Sequence, residues 1–373
     1  MTDTPETSPR NKQLSEYSLL GRSGLRVSPL CLGTMTFGTE WGFGSPQEQA
    51  RQILSAFMAA GGNFIDTADG YTSGTSESIL GEHFKAVGGR DRVVLATKYT
   101  FGAVPGDPNA GGNSRKNLFR ALEGSLRRLQ TDYIDLYWVH AWDGLTPVEE
   151  VIGTLTDLVR AGKIRYIGLS NTPAWYLARM QTLAECRGLE RLCALQLEYS
   201  LAERNIEREH IPAALELGMG VCPWSPLASG LLSGKYTRSG TAGAQGAGRL
   251  AGMQETNNPA FAKLFTARNW DIVDALLGVA KEIGRPPAQV ALNWVVRRPG
   301  VTSTILGARR LEQLEDNLRA LEFEIPAPLA ARLDEASRPE TLHPHHFFTA
   351  EMRPMLTGGV TVRREPLSFR PRE

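Results

Sequence analysis

Residues 63–71 read N-F-I-D-T-A-D-G-Y, an apolar run that ends abruptly in polar side chains. Its first three residues have the apolar, β-branched composition of a short buried strand. Asp66 and Tyr71 then bring a carboxylate and a phenol to the end of that strand. A buried carboxylate without a partner is costly, so it must be protonated or matched by a cation. The stretch therefore predicts a cation elsewhere in the chain that reaches Asp66.

The chain around this stretch alternates short apolar runs with helical patterns. We predict eight strands, each followed by at least one helix, at 30–33, 63–66, 92–98, 133–140, 164–169, 192–199, 219–224 and 301–306. Apolar strands that alternate with helices indicate a parallel sheet. Eight such units in about 300 residues predict an α/β fold, a (β/α)8 TIM barrel. A doubly wound sheet is the other candidate, but the first strand continues as G-T-M-T-F-G (33–38), which does not match its G-x-G-x-x-G motif.

Further segments complete the predicted organisation. Residues 1–16 are polar and predict a disordered N-terminal tail. Residues 17–27 predict an N-terminal β-hairpin, with glycines where a tight turn needs them. A Gly/Ala/Ser-rich segment from 229 to about 268 predicts a long loop after strand 7. We expect one barrel domain over 17–337 and a C-terminal extension over 338–373.

Composition and charge exclude several classes of protein. The 373 residues are 42% hydrophobic and 22% charged, and the formal net charge of +1 gives no general attraction to nucleic acid or membranes. The N-terminus lacks the apolar core of a signal peptide, and no apolar run approaches the roughly 18 residues that span a bilayer. The four cysteines form no C-x-x-C pair and no disulfide is expected; Cys31 and Cys222 lie in apolar strand-like runs and are expected to be buried free thiols. We therefore expect a soluble cytoplasmic protein, whose oligomeric state the sequence does not indicate.

Chemically active side chains occur at the ends of the predicted strands, where TIM barrels carry their active sites. Asp66 and Tyr71 follow the second strand, Lys98 ends the third and His140 ends the fourth. Lys98 is the cation that Asp66 requires. A phenol has an ordinary pKa of about 10, so it is a poor proton donor near neutral pH. A neighbouring ammonium group favours the phenolate and therefore lowers the pKa of the phenol. Tyr71 is therefore predicted to be a general acid toward a carbonyl oxygen that His140 orients, with the hydride source left open.

The motifs together resemble those of the aldo-keto reductase family from about Leu19 to Ala336. The family's Asp-Tyr-Lys-His tetrad corresponds to F-I-D-T-A-D-G-Y (64–71), A-T-K (96–98) and V-H (139–140). Its cofactor signatures are similar to G-L-S-N (168–171), L-Q-L-E-Y-S (195–200), W-S-P-L-A-S-G-L-L-S-G-K-Y (224–236) and L-G-A-R-R-L-E-Q-L-E-D-N (306–317). The G-A-R pattern in the last motif resembles the branch that contains bacterial general-stress reductases and potassium-channel β-subunits.

This resemblance implies an enzyme that uses NADPH to reduce small aldehydes or ketones by hydride transfer and, in reverse, to oxidise alcohols. It makes Tyr71 the acid, Asp66 and Lys98 the pair that tunes it, and His140 the group that orients the substrate. The implied cofactor-binding residues are Thr34, Met35, Ser170, Asn171, Gln196, Trp224, Ser225, Pro226, Leu227, Ser229, Lys235, Arg249, Gly307, Arg309, Gln313 and Asn317.

The resemblance also suggests how these residues divide the cofactor among them. Ser170, Asn171 and Gln196 would hold the nicotinamide carboxamide, and Trp224 would stack on the nicotinamide ring. Lys235 and Arg249 would meet the pyrophosphate. The adenosine end would be bound by Gly307, Arg309, Gln313 and Asn317.

Gly307 stands where the best-known branches of the family carry a lysine that pairs with the 2′-phosphate. Arg309 is expected to supply that contact instead, so NADPH is predicted in preference to NADH. The C-terminal extension lies near the substrate opening in this family. Either it packs on the outside of the barrel, or its phenylalanines join other aromatic residues as pocket walls; the candidates are Phe37, Trp41, Tyr99, Trp142, Phe347 and Phe348.

No metal site is predicted. His343, His345 and His346 are close in sequence, but no acidic or cysteine partner lies at ligand spacing.

Two other functions remain open at this level. The chain could be a nucleotide-binding redox sensor, as the potassium-channel β-subunits are, although the complete tetrad favours catalysis. It could also be a barrel isomerase or aldolase that uses Lys98 as a Schiff base. Such a lysine needs a desolvated site without a close carboxylate, and Asp66 opposes this function. The motifs do not identify the substrate.

Overall fold

The structure is a computed structural model that describes residues 13–236 and 263–360. A two-stranded antiparallel hairpin comes first, formed by β1 (Ser18–Leu19) and β2 (Arg26–Val27). The strands of the main sheet are β3 (Leu30–Gly33), β4 (Phe64–Asp66), β5 (Val94–Tyr99), β6 (Ile134–Val139), β7 (Ile164–Ser170), β8 (Leu192–Glu198), β9 (Gly220–Trp224) and β10 (Thr304–Gly307).

These eight strands run parallel in the order β10-β3-β4-β5-β6-β7-β8-β9. Val221 on β9 pairs with Val301, just before β10, through one further parallel bridge. Because that bridge joins the two ends of the sheet, the strands close into a barrel. The predicted (β/α)8 TIM barrel and the predicted N-terminal hairpin are both confirmed, and the doubly wound sheet is excluded. The last strand begins later than predicted, because Val301 contributes a single bridge and the continuous ladder starts at Thr304.

Helices cover the outside of the barrel. They are α1 (Gln47–Ala59), α2 (Thr75–Val87), α3 (Arg115–Leu129), α4 (Val148–Arg160), α5 (Ala174–Arg187), α6 (His210–Leu217), α7 (Ala267–Ile283), α8 (Pro287–Val296), α9 (Leu311–Leu318), α10 (Ala327–Ala336) and α11 (Arg353–Leu356). Two short 3-10 helices matter for the site, at Tyr71–Gly74 after β4 and at Ala228–Ser233 after β9.

Side chains alternate between the barrel interior and the helical layer, as the period of two in a β-strand requires. On β5, Val94 and Ala96 belong to the inner cluster of buried residues, whereas Leu95 and Tyr99 belong to the outer one. The inner cluster also holds the fully buried Trp138. A Cβ at Gly168 would lie 2.3 Å from that indole ring, so only glycine fits beside it. This alternation directs the even-numbered residue Lys98 into the barrel.

The hairpin closes the N-terminal end of the barrel. Leu20 and Val27 belong to the inner cluster. Gly21, with φ of 58°, lies so close to the barrel that a Cβ would be 2.4 Å from the carbonyl oxygen of Cys193. The carboxyl ends of the strands are therefore the face on which a site can form.

The chain ends differ in part from the prediction. Gln13–Glu16 form a turn within the predicted disordered tail, and Leu14 is only 7% exposed because its apolar side chain packs on the outer core. Residues 1–12, 237–262 and 361–373 lie outside the described residues. No helix in the described ranges is long and apolar enough to cross a membrane. All four cysteines are free, and Cys31 and Cys222 are buried as predicted, whereas Cys186 is exposed on α5.

Candidate active site

The Lys98 ammonium group is the centre of the candidate site. Lys98 is fully buried, and its Nζ donates to Asp66 Oδ2 at 2.5 Å, to the carbonyl oxygen of Thr67 at 2.7 Å and to Tyr71 Oη at 3.2 Å. An ammonium group has three hydrogens to donate, so this geometry uses all of them. In the bond to Tyr71 the phenol oxygen is the acceptor, and that bond does not consume the phenol hydrogen.

Asp66 holds this ammonium group in place and in its charged form. The second carboxylate oxygen of Asp66 accepts a hydrogen bond from Gln196 Nε2 at 2.9 Å. Burial by itself would lower the pKa of Lys98, but the negative charge of Asp66, together with that of Tyr71 when the phenol is ionised, outweighs burial and raises that pKa above its ordinary value. A Schiff-base lysine must be a neutral amine to attack, so this environment opposes that function.

Tyr71 is held by an unusual turn directly after it. Thr72 and Ser73 have φ values of 46° and 55°, and Gly74 has 93°. Left-handed backbone at non-glycine residues costs on the order of 1–3 kcal/mol each and persists only where the surroundings enforce it. Here the Thr72 hydroxyl donates to the carbonyl oxygen of Phe37 at 2.7 Å and accepts from the Ser76 backbone N–H at 3.1 Å. These bonds keep the turn, and with it the phenol, at the end of β4.

His140 completes the group from the end of β6. Its ring centroid lies 5.9 Å from that of Tyr71, with an interplanar angle of 81°. Burial is the main cause that lowers the pKa of His140 to about 2, and the Lys98 charge adds to it. The imidazole is therefore neutral near pH 7, so it can orient a ligand oxygen by hydrogen bonding without supplying the proton itself.

The site opens into a cavity of about 1140 Å³ at the carboxyl ends of the strands. Tyr71, His140 and Asp66 line it, whereas Lys98 lies behind Tyr71 and does not. The cavity also includes most of the residues predicted to bind a cofactor, namely Met35, Asn171, Gln196, Trp224, Ser225, Pro226, Leu227, Ser229, Lys235, Gly307, Arg309, Gln313 and Asn317.

Two residues of the predicted cofactor set are not among the cavity-lining residues, and a third lies outside the described residues. The Thr34 hydroxyl lies 3.1 Å from the carbonyl oxygen of Asp66 and 2.8 Å from the Ser76 hydroxyl. The fully buried Ser170 accepts from Asn171 Nδ2 at 2.9 Å. Both hydroxyls are used to hold neighbouring residues of the site. Arg249 falls in the segment that the structure leaves undescribed.

The amide and indole groups on the cavity wall are fixed by one another. Asn171 donates through Nδ2 to the carbonyl oxygen of His140 at 2.9 Å and accepts from Trp224 Nε1 at 3.1 Å. Asn171 has a φ of 49°, a conformation that asparagine tolerates better than most residues. The orientation of the Trp224 ring is thus tied to the segment that carries His140.

The segments after β9 and β10 supply positive charge to the cavity. Lys235, Arg309 and Arg310 line it, and none of the three forms an ion pair within the described part of the chain. Helix α9 starts here without a side-chain cap, and a helix start favours anions. A cavity that joins the Tyr71 phenol to these cations fits a long phosphate-bearing cofactor such as a nicotinamide dinucleotide.

The predicted aromatic walls were right for one residue only. Trp41 lines the cavity, and so do Phe43 and Phe101, which the prediction missed. Tyr99 faces the helical layer, where its ring stacks on Tyr137 at 5.2 Å, because it follows the inward-facing Lys98 by one residue. Phe37 is fully buried in the outer core. The missed residues lie next to glycines in segments that follow strands, which is the signal that could have revealed them.

The described C-terminal extension also contributes no cavity wall. Phe347 and Phe348 are 43% and 67% exposed and do not line the cavity, and neither does Trp142, which packs against Trp175 at 5.4 Å. The extension lies beside the start of α6, where Arg208 donates to the carbonyl oxygen of Glu340. No group of three or more His, Cys, Asp or Glu in residues 13–236 and 263–360 could hold a metal ion.

Asp69, for which the sequence indicated no role, lines the cavity beside Tyr71. Burial is the main cause that raises its pKa from 3.8 to about 7, and the Glu77 carboxylate adds to it. The charges of Arg128 and Arg120 and the backbone N–H of Gly70 oppose this rise. Asp69 is thus a second carboxyl group beside the tetrad, with a charge that changes near neutral pH.

Comparison with known proteins agrees with this geometry. A sequence model described as the Aldo/keto reductase family matches residues 29–338. The chain is 41% identical over 331 residues to "Uncharacterized oxidoreductase YrpG" of Bacillus subtilis (strain 168), which covers 86% of this chain and 95% of that protein. It is 35% identical over 355 residues to "Aryl-alcohol dehydrogenase GME11368" of Pestalotiopsis microspora, covering 93% and 88%.

A third relative adds a named cofactor. The chain is 34% identical over 336 residues to an "Aryl-alcohol dehydrogenase" of Phanerodontia chrysosporium, whose name includes NADP(+), covering 86% of this chain and 85% of that protein. The chain belongs to the aldo/keto reductase family, as the motifs predicted. It is accordingly an NAD(P)H-dependent oxidoreductase, and its reaction is carbonyl reduction in general.

Proposed function

We propose that this protein reduces aldehydes or ketones with NADPH and that Tyr71 is the general acid. The observation that carries the proposal is the Lys98 ammonium group, which is buried behind the cavity wall and bonded to two residues of that wall, Asp66 and Tyr71. Tyr71 donates its proton to the carbonyl oxygen, and the ammonium group stabilises the phenolate that remains. Asp66 keeps Lys98 charged and in place, and neutral His140 orients the carbonyl oxygen.

The reduced nicotinamide, when bound, supplies a hydride to the carbonyl carbon. Hydride and proton together convert an aldehyde to a primary alcohol or a ketone to a secondary alcohol, and the reverse reaction returns the proton to Tyr71. Asn171, Gln196 and Trp224 would hold the nicotinamide end. The phosphates would meet Lys235 and the start of α9.

Two observations support NADPH rather than NADH. Arg309 and Arg310 line the cavity near the start of α9, and guanidinium groups bind phosphate well. The name of the fungal relative from Phanerodontia chrysosporium includes NADP(+). A Cβ at Gly307 would find its nearest neighbouring atom at 4.0 Å, so packing does not explain the glycine that replaces the family's lysine.

The proposal is tested with Tyr71→Phe. We expect NADPH oxidation with an aldehyde panel to fall by about a hundredfold to ten-thousandfold, because one positioned acid contributes on the order of 10²–10⁴. NADPH affinity, measured by fluorescence titration, should change less than about threefold. Tyr137→Phe is the matched control: that phenol is fully buried, and its hydroxyl has no hydrogen-bond partner among the described residues.

Wild-type rates from Tyr71→Phe would overturn the assigned acid. A wild-type protein that binds NADPH tightly but reduces no member of a broad panel of aldehydes, ketones and sugars would instead favour the nucleotide-sensing function.

A further inference from the structure

One buried serine contacts both ends of the segment that carries Tyr71. Ser76 lies in the first turn of α2 and is fully buried. Its hydroxyl lies 2.9 Å from the hydroxyl of Thr67, which comes before Tyr71 in the chain. Its backbone N–H donates at 3.1 Å to the hydroxyl of Thr72, which comes after Tyr71. Segment 67–72 therefore begins and ends at a hydrogen bond to the same residue.

The directions of these hydrogen bonds follow from the number of hydrogens. The Ser76 hydroxyl donates its one hydrogen to the carbonyl oxygen of Thr34 at 2.8 Å, so toward Thr67 it is the acceptor. Within the described residues, the Thr67 hydroxyl has no other hydrogen-bond partner. Both side chains are 0% exposed. Removal of the Ser76 hydroxyl would therefore leave a buried donor at Thr67 without its acceptor, which is unfavourable.

The Thr67 end of the segment also holds the ammonium group. The carbonyl oxygen of Thr67 accepts from Lys98 Nζ at 2.7 Å, and its backbone N–H donates to the carbonyl oxygen of Ala96 at 2.9 Å. The bond from Lys98 Nζ to Tyr71 Oη is 3.2 Å long, at the upper end of the usual range for such bonds. A small displacement of Thr67 would therefore be enough to weaken the contact between ammonium group and phenol.

The start of α2 is itself fixed to the barrel. The residue after Ser76, Glu77, is fully buried and accepts from the Thr97 hydroxyl at 2.5 Å and from Arg128 Nε at 2.7 Å. Thr97 precedes Lys98 on β5. Ser76 is thus held in place relative to the strand that carries the ammonium group, and it binds the segment that carries the phenol.

We propose, building on the carbonyl reductase function above, that Ser76 is a positioning residue for the reaction. It fixes segment 67–72 at both ends and so holds the Tyr71 phenol against the Lys98 ammonium group. Ser76 does not line the cavity, so its effect reaches a ligand only through the residues that it holds. Loss of its hydroxyl should therefore lower kcat and leave NADPH binding intact.

Ser76→Ala tests this role by turnover, with the aldehyde that the wild-type protein reduces fastest. We expect kcat to fall about tenfold to a hundredfold, because a misplacement of about 1 Å can cost 10²-fold. NADPH affinity, measured by fluorescence titration, should change less than about threefold. Ser125→Ala is the matched control and should keep kcat near the wild-type value. Ser125 is also fully buried, on α3, but its hydroxyl has no hydrogen-bond partner among the described residues.

The phenol itself gives a second measurement, which does not depend on turnover. With 3-fluorotyrosine at position 71, ¹⁹F NMR reports the ionisation of that phenol. Ser76→Ala leaves unchanged the titratable groups around it, namely Asp66, Asp69, Lys98 and His140. We expect the titration midpoint to move to higher pH by about half a unit or more, because an ammonium group that is held less closely stabilises the phenolate less. Ser125→Ala should not move it.

Thr67→Val removes the same hydrogen bond from its other side. The bond from Ser76 to the Thr34 carbonyl oxygen is then kept, so this variant tests the proposal even if Ser76→Ala does not fold. We expect a similar loss of kcat and a similar shift of the midpoint. The double variant Ser76→Ala/Thr67→Val should lose no more than the worse single variant, because both changes remove one shared contact. Fully additive losses would contradict the proposal, as would equal results from Ser76→Ala and Ser125→Ala.

Tyr71→Phe, in the same turnover assay, separates this proposal from the acid assignment. If Tyr71→Phe abolishes turnover while Ser76→Ala and Thr67→Val change neither kcat nor the midpoint, the acid assignment stands and the role of Ser76 is wrong. If both variants move the midpoint while Tyr71→Phe keeps turnover, Ser76 does hold the phenol against the ammonium group, but that phenol is not the acid.

Discussion

The two sides of the cavity differ in how their polar groups are held. At the tetrad, Asp66 and Lys98 are 2% and 0% exposed and are bonded to each other. Lys98 is also bonded to Tyr71, and Asp66 is also bonded to Gln196. On the other side, Arg309 is half-buried and Arg310 is exposed, and neither forms an ion pair in the part of the chain that the structure describes. Removing one partner of a buried charge is costly because the charge is left uncompensated, whereas an exposed charge is solvated and is little affected by the loss of a neighbour. Loss of one residue of the tetrad should therefore impair the whole tetrad, whereas loss of one residue on the cationic side should remove only the contact that this residue makes.

The largest expected effect is at Lys98. Lys98→Met leaves Asp66 buried with Gln196 as its remaining side-chain partner, and we expect the free energy of unfolding to fall by about 3–5 kcal/mol. Turnover should be lost. The double variant Asp66→Asn/Lys98→Met should regain most of that stability but no turnover, because it removes the unpaired charge without restoring the ammonium group. Urea unfolding and NADPH oxidation measure the two quantities.

A surface ion pair provides the control for Lys98. Arg115 and Asp157 pair at 2.7 Å with side chains 51% and 47% exposed. Arg115→Met should cost less than about 1 kcal/mol. Equal losses from Arg115→Met and Lys98→Met would contradict the contrast between buried and exposed charges.

The next effect is at Arg309. Arg309→Ala should weaken NADPH binding by about tenfold to a hundredfold, the range expected for a charge-assisted hydrogen bond, while NADH binding and kcat stay nearly constant. The loss should shrink as salt concentration rises, because exposed charges are screened. Arg319→Ala serves as the control, since Arg319 pairs with Glu322 and does not line the cavity. Equal losses for NADPH and NADH would show that Arg309 does not contact the 2′-phosphate.

The smallest effect concerns Asp69 and pH. The pKa of Asp69 is about 7 in the folded protein and 3.8 ordinarily, so the folded state binds the proton more tightly. The stability associated with Asp69 is therefore present at low pH and is lost as the pH rises from about 4 to about 7. As the pH rises through this range, the free energy of unfolding of Asp69→Asn should increase relative to that of the wild type by on the order of 1–2 kcal/mol, after allowance for partial exposure. Above this range the difference should stay constant.

Urea unfolding at pH 5, 6, 7 and 8 measures this gain. Asp132→Asn, at an exposed position, is the control and should show no such trend. A gain that grows between pH 7 and pH 8 instead of levelling off would contradict the assignment to Asp69.

The inward direction of Asp66, Lys98 and His140 could be predicted because strand alternation is a local property. Asp66, Lys98 and His140 share the parity of Phe64, Ala96 and Trp138, which all point into the barrel. The same rule would have placed Tyr99 outside, in the helical layer, and would have excluded it as a pocket wall. The aromatic walls could not be predicted as securely, because Phe43 and Phe101 lie in loops, where side-chain direction depends on packing between distant segments.

The sequence by itself determined the barrel, and it predicted which side chains stand at the strand ends and form the proposed tetrad, because hydrophobic periodicity and the order of strand ends are local properties of the chain. Only the tertiary structure decided which groups share the Lys98 ammonium, which aromatic rings stand beside Tyr71 and His140, and why Asp69 titrates near neutral pH. Those properties arise from distances between elements that lie far apart in the sequence, and burial and charge act across space rather than along the chain.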